Sequence, residues 1–355
     1  MVHNFSAGPC ILPQEVLDQA SKSVKEFGGT GLSLIEMSHR SKPFVQVMDK
    51  ARALVKELLN VPETHEVLFL QGGASLGFYT AAFNFLTENG KGSYHDSGTW
   101  SSKAIKEAKL LGDIEVVASG KESGYKDLIT EYKLATDTDY FHFTSNNTIY
   151  GTQWKELPTT DCPLICDMSS DIFSREINVS DFALIYAGAQ KNMGPAGTVL
   201  YIVEKDLLGK TGRKIPSYLD LEVHIDKDSM FNTPPVFAIY TSMLMLEWLK
   251  NLGGVKAIEE INNQKAELLY NEIDSNPLFE GYATKNSRSK MNVTFNLTDA
   301  SLEEKFNKMW TDANISGIKG HRSVGGYRAS IYNALPLSSV QALVNVMKEL
   351  ATVAV

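Results

Sequence analysis

Between about Pro13 and Trp248 the chain alternates short apolar runs with stretches of helical period, the pattern of a mostly parallel sheet covered by helices on both faces. Glu66 to Leu70 is one apolar run; the small-residue bend Gln71-Gly72-Gly73-Ala74-Ser75 and a helical stretch through about Leu86 follow it. Pro163-Leu164-Ile165-Cys166 ends in Asp167. Phe182 to Ala187 is continuously apolar, as in a strand buried on both faces, and Thr198 to Val203 reads as another. Lys103 to Leu111 has helical period. After Trp248 the character changes to a helix over Asn262 to Ile273, a strand at Met291 to Leu297, a helix over Ser301 to Asn314, a strand at Arg328 to Tyr332 and a last helix from Ser338. An α/β fold follows, with a large domain over 14–250 and a small α+β domain built from 1–13 and 251–355. Gly28 to Gly31 reads as a mobile flank of the segment Leu32 to Met37.

The two apolar runs at Phe182 and Thr198 enclose the glycine-rich bend Gly188-Ala189-Gln190-Lys191-Asn192-Met193-Gly194, which places Lys191 at a strand end. In an open parallel sheet that is where ligands bind. Partial burial would lower the lysine's pKa and free its amine to attack an aldehyde, so Schiff-base chemistry is one reading and a solvated turn lysine the other. Asp167 could hold a pyridinium nitrogen, as pyridoxal phosphate requires, or could cap its strand. The glycines at 72 and 73 with the helix start at Ala74 and Ser75 suit a phosphate, although neither the Walker nor the dinucleotide pattern is met and an ordinary strand-to-helix turn reads the same way. Trp100 could stack on a planar ring or pack in the core.

Taken in order, the phosphate-type turn, Trp100, Thr148 in Ser145 to Gly151, Asp167 and Gln190-Lys191 form a series. Asn4-Phe5-Ser6-Ala7-Gly8-Pro9, Met37-Ser38-His39-Arg40, Ser229 to Pro235 and Lys319 to Asn333 extend it over essentially the whole chain. The chain resembles the phosphoserine aminotransferase family, pyridoxal-phosphate enzymes of fold type I with an aspartate-aminotransferase-like large domain and a sheet of the seven-stranded type. The resemblance implies that Lys191 forms the Schiff base and acts as general base and acid. It gives the pyridine nitrogen to Asp167, the ring face to Trp100, and ring substituents or phosphate to Thr148 and Gln190. Ala74 and Ser75 would donate to the phosphate, as would Asn232 and Thr233 of the partner subunit, so a homodimer with shared active sites is implied. Arg328 would take the substrate's α-carboxylate, and His39-Arg40 with His321-Arg322 would form the distal anion pocket. The substrates implied are O-phospho-L-serine, L-glutamate and 2-oxoglutarate, with 4-phosphohydroxy-L-threonine as an additional one. Guanidinium groups suit such doubly anionic molecules because they bind carboxylate and phosphate bidentately. Some relatives carry an arginine in the phosphate turn where this chain has Gly73-Ala74-Ser75, which leaves the distal pocket less basic.

Composition narrows the remaining classes. A net charge of −8 argues against nucleic-acid or anionic-membrane partners, which favour broad basic surfaces. The apolar run from Val236 to Leu249 is interrupted by Tyr240, Thr241, Ser242 and Glu247 and falls short of a membrane span of about 20 residues. Cys10, Cys162 and Cys166 suggest neither a disulfide framework nor a metal site, and with no basic-then-apolar leader at the start a cytoplasmic enzyme is the simplest reading. Two rivals remain. Another pyridoxal-phosphate enzyme, such as an alanine-glyoxylate aminotransferase or a cysteine desulfurase, would keep Asp167 and Lys191 without needing the His-Arg pairs. A non-catalytic phosphometabolite-binding module would leave the lysine idle.

Overall fold

The computed structural model describes residues 2–353. Seven strands form the main sheet: β1 (His65–Leu70), β2 (Lys91–Asp96), β3 (Asp113–Ser119), β4 (Thr138–Thr144), β5 (Leu164–Asp167), β6 (Leu184–Gly188) and β7 (Val199–Glu204). Their spatial order is β1-β7-β6-β5-β4-β2-β3. Strands β6, β5, β4, β2 and β3 pair in parallel, while β7 lies antiparallel between β6 and β1. The polarity of β7 follows from the chain: it leaves β6 through the tight Lys191 bend, too short for the crossover that a parallel return needs.

Burial on both faces explains the unbroken apolar strands. One core packs the sheet against the helices Lys42–Leu58 and Val236–Asn251; the other packs it against Gly73–Phe85 and Thr99–Ala108. Tyr186 and Tyr201 of the second core are almost wholly excluded from water, and each large apolar side chain so buried stabilises by roughly 1.5–3 kcal/mol.

A third core surrounds an antiparallel sheet of Phe279–Gly281, Asn292–Leu297 and Tyr327–Ser330, covered by the helices Gly254–Ser275 and Leu337–Val353. His3–Asn4 pairs in parallel with Ile315–Ser316, and Phe5 enters this core. The helix expected from Asn262 begins eight residues earlier, at Gly254, and the one expected from Lys103 begins at Thr99. That second shift puts Trp100 in a helical first turn, where the Ser101 hydroxyl accepts from the backbone N–H groups of Ser97 and Gly98, both at 2.9 Å. Gly28 to Gly31 forms a hydrogen-bonded turn, with the Thr30 N–H on Phe27 O and the Gly31 N–H on Glu26.

Candidate active site

The parallel strands bring their carboxyl ends to one edge of the sheet, and the candidate residues follow those ends. β5 finishes on Asp167, and β6 finishes on Gly188, just before Lys191; β4 and β2 lead into Thr148 and Trp100, and β1 leads into Gly72. Lys191 is 9% exposed, which removes the solvated-turn reading. Its turn closes on Ala189 O, which accepts from the N–H groups of Met193 and Gly194 at 3.1 and 2.8 Å. The amine Nζ donates to Thr148 Oγ1 at 2.8 Å and lies 5.3 Å from the Trp100 ring centroid. Burial pushes its pKa down to about 8; the negative charge of Asp167 opposes this shift and the positive charge of Arg328 adds to it.

Asp167 is buried, and desolvation raises its pKa against the opposing pull of Lys191 and of hydrogen bonds from Ser169. Its Oδ1 accepts from the Ser169 N–H at 2.9 Å and hydroxyl at 2.6 Å, while Oδ2 has no hydrogen-bond partner among the described residues. Ser169 in turn accepts from the Gly188 N–H at 3.1 Å, which locks the aspartate strand to the lysine strand.

At the end of β1, Gly72 takes the left-handed conformation at φ 94° and caps the helix Gly73–Phe85. A Cβ there would sit 2.5 Å from Leu76, so glycine is required both by conformation and by space. The first helical amides, at Gly73, Ala74 and Ser75, have no partner within the helix. Further along, Gly77 lets this helix lie against Tyr186 of β6. Asp96 orders the Trp100 turn by accepting from the hydroxyls of Ser101, Ser102, Ser119 and Tyr125. Gln190 is half-buried, and its carbonyl accepts from the Cys10 N–H at 3.0 Å, drawing the amino-terminal arm over the lysine turn.

Arg328 lies on the strand Tyr327–Ser330 of the antiparallel sheet, yet its Nη1 donates to the carbonyl of Thr148 at 3.4 Å. Lys191 and Arg328 thus meet on one residue, the first through its side chain and the second through its backbone. Arg328 Nε is buried without a partner among the described residues. His321 stands close enough to feel the charges of Arg328, Arg322 and Lys103, which, after burial itself, lower its pKa; its Nδ1 accepts from the Ser323 N–H at 3.3 Å. Arg322 is exposed.

The remaining candidates are placed elsewhere on the chain. His39 and Thr233 line an open cleft with Gly197, Pro234, Pro235 and Phe237, with Arg40 and Asn232 adjoining in sequence. Among the described residues no hydrogen bond joins any of these four to Lys191, Asp167 or Arg328. Thr233 is tied instead through its carbonyl to Gln71 Nε2 at 2.6 Å. Sequence reasoning did not single out Ser169, Lys103 or the carbonyl of Thr148. Ser169 had a local signal, two residues after the aspartate in Asp167-Met168-Ser169; the Thr148 carbonyl had none, because its partner is 180 residues away.

The arrangement is a buried amine of low pKa, a buried carboxylate with one free oxygen, an aromatic face, a run of free amides and an arginine. The model of the aminotransferase class-V family matches residues 2–343. The chain is 61% identical to the phosphoserine aminotransferase of Flavobacterium psychrophilum over 349 residues, 98% of each chain.

The chain belongs to the class-V aminotransferases.

Among solved structures it is similar to phosphoserine aminotransferase from Bacillus circulans subsp. alkalophilus, at 43% identity and a TM-score of 0.96, covering 100% of this chain and 99% of that one. It is also similar to the pyridoxal-phosphate-bound phosphoserine aminotransferase of Trichomonas vaginalis, at 36% identity and a TM-score of 0.91, covering 98% of this chain and 100% of that one. As a class-V aminotransferase it is a pyridoxal-phosphate-dependent transaminase of fold type I. The donor set fits that cofactor: an amine for its aldehyde, the free Asp167 oxygen for a ring N–H, and helix-start amides for a phosphate.

Proposed function

We infer that this transaminase moves an amino group between L-glutamate and 3-phosphohydroxypyruvate, giving O-phospho-L-serine and 2-oxoglutarate in serine biosynthesis. The observation that carries the reading is the convergence of Lys191 and Arg328 on Thr148, which sets an amine and a guanidinium side by side at a buried site. Pyridoxal phosphate, when bound, supplies an aldehyde that takes up amino groups and a ring that withdraws electrons from the substrate's α-carbon.

In this reading the chain's residues do the following. Arg328 grips the α-carboxylate, orienting the α-hydrogen toward Lys191. Nζ of Lys191, with its pKa lowered to about 8, would take that proton as a general base and hold it for return as a general acid. Asp167 would pair with the cofactor's ring nitrogen through its free oxygen, and Trp100 would offer its face to the ring. Ala74 and Ser75 donate to the cofactor phosphate; Thr148 and Gln190 bond to ring substituents or to that phosphate. His321 and Arg322 supply positive charge for the distal phosphate or carboxylate.

His39, Arg40, Asn232 and Thr233 complete the site of a second subunit in a homodimer. Support comes from the cleft that His39 and Thr233 line with Pro234, Pro235 and Phe237, and from exposed apolar neighbours such as Ile35, 61% exposed, and Phe231. The division into a large domain over 14–250 and a small one from 1–13 and 251–355 is consistent with the separate cores. No helix among the described residues is long and apolar enough to cross a membrane, and we place the enzyme in the cytoplasm. Acceptance of 4-phosphohydroxy-L-threonine, and with it a part in pyridoxine biosynthesis, belongs to the same proposal.

A half-reaction tests the reading. The visible band of the holoenzyme should bleach on adding phosphoserine or glutamate and should persist with alanine or serine. Bleaching by alanine or serine alone would overturn the assignment of substrate.

A further inference from the structure

Asn192, the residue after the lysine, is 4% exposed and its side chain lies in a buried polar cluster. Its Nδ2 donates to Ile172 O at 2.6 Å, in the segment that follows Asp167. Its Oδ1 accepts from the Asn333 N–H at 2.9 Å, in the segment that follows Arg328. Asn333, also 4% exposed, sends Nδ2 to Phe173 O at 2.9 Å, and its Oδ1 accepts from Asn262 Nδ2 at 2.8 Å. Asn262 is on the helix Gly254–Ser275; its Nδ2 also donates to Ser174 O at 3.1 Å, leaving its own Oδ1 without a partner. Phe173, which receives one of these bonds, holds a positive φ of 60°, a conformation that a bulky residue keeps only when its surroundings dictate it. One turn along the same helix, Lys265 Nζ donates to three carbonyls, those of Ile331, Tyr332 and Leu335.

Three backbone segments therefore meet at two amide side chains: the one behind Asp167, the one behind Lys191 and the one behind Arg328. These are the segments that carry the acid, the amine and the carboxylate grip, and Arg328 comes from a different sheet. Arg328 bonds Thr148 O at 3.4 Å, and its strand is held to the same loop through its register partner Thr294, whose hydroxyl donates to Tyr150 O at 2.9 Å, and through Asn292, whose Oδ1 accepts from Asn146 at 2.7 Å. The two amides hold the chain just past the other end of that strand. Buried amides bonded at both ends resist displacement because an orphaned group in such a place is unfavourable.

We propose that Asn192 and Asn333 are positioning residues, a clasp that sets the distance between Lys191 and Arg328 and so aligns the substrate's α-hydrogen with the lysine. The inference rests on Arg328 being the α-carboxylate grip. Displacement of a reacting group by about 1 Å lowers rates by about a hundredfold, and the clasp acts on that scale.

The test compares two amines that differ only by the carboxylate, O-phospho-L-serine and O-phosphoethanolamine, in single-turnover bleaching of the holoenzyme. Asn333→Ala and Asn192→Ala should slow the reaction with phosphoserine by about 10- to 100-fold at full cofactor occupancy. Phosphoethanolamine, which does not use Arg328, should react within about threefold of its wild-type rate. Asn262→Ala, which removes only the outer bonds, should show a smaller effect of the same kind and serves if either clasp variant fails to fold. A crystal structure of Asn333→Ala should show Arg328 withdrawn from Thr148 O. Equal slowing of both amines, unchanged rates in a folded variant, or an unmoved Arg328 would overturn the clasp. If instead the wild-type enzyme ignores phosphoserine but bleaches with another amino acid, the substrate assignment fails, and the clasp is tested with that amino acid and its decarboxylated amine.

Discussion

Raising the pH across the titration of Lys191 should expose its environment directly in the cofactor-free protein. With a pKa of about 8, roughly one lysine in eleven is a free amine at pH 7 and roughly ten in eleven at pH 9, a rise of about tenfold that levels off above pH 9. At the ordinary value of 10.5, the free fraction would run from about 3 in 10,000 to about 3 in 100 over the same range, a rise of about a hundredfold with no levelling. The assay mixes the cofactor-free protein with pyridoxal phosphate in a stopped-flow instrument and follows the visible band. Each rate is divided by that of a simple amine, corrected to its free fraction, so that titrations of the cofactor cancel. Because Asp167 holds the lysine's pKa up and Arg328 pushes it down, Asp167→Asn should move the midpoint to lower pH and Arg328→Met to higher pH. A hundredfold climb still rising at pH 9.5, or midpoint shifts of the opposite signs, would refute the claim that burial among these two charges sets the nucleophile.

Three further outcomes are expected. Gly77→Ala should destabilise by about 1–3 kcal/mol in a denaturant titration: the added Cβ would lie 2.7 Å from the Tyr186 ring, and overpacking outweighs the gain of up to about 1 kcal/mol in helix propensity. A neutral or stabilising result would mean the helix can slide off β6 freely. Lys265→Met should lower stability by about 3 kcal/mol or more, since three carbonyls lose their only side-chain donor at a site with no exposure; a change below about 1 kcal/mol would show that water replaces the ammonium. Asp167→Asn should retain cofactor, measured by absorbance after gel filtration, yet lower turnover by about 10² to 10³ through loss of a buried charge partner, and near-wild-type turnover would remove Asp167 from the mechanism.

Much of the fold was legible because its signals are local. The strand ending in Asp167 and the runs around Lys191 are buried on both faces, so their apolar character needs no partner to interpret, and β5, β6 and β7 lie within two residues of where the pattern puts them. The Trp100 helix began earlier than its pattern because its first turn, Thr99-Trp100-Ser101-Ser102, is polar and is held by Ser101 and Asp96 rather than by an apolar stripe. The clasp was invisible for a different reason. Asn192 and Asn333 are 141 positions apart, and nothing near either marks the other. One clue was present: Asn262 and Lys265 fall on the buried stripe of their helix, in line with Val255, Ile258 and Leu269, where polar residues require a specific partner. The lysine, the aspartate and the phosphate-type turn could be named from residue order, but their convergence, with Arg328 arriving from another sheet, is a property of the tertiary structure alone.

The antiparallel strand β7 has a consequence for how the enzyme is made. It is the sole neighbour of β1 in the sheet, and Leu70 must wait for Val199, 129 positions later, before it can pair (199 − 70 = 129). At about 5–20 residues per second, a ribosome needs roughly 6–26 seconds to bridge that gap. Through that interval the growing chain has a phosphate turn on a strand with no sheet neighbour. The arrival of β7 docks β1 on one side and the lysine-bearing β6 on the other in the same event. Nascent chains that end before β7 have no assembled site to offer the cofactor, so loading must follow translation of the sheet's last strand.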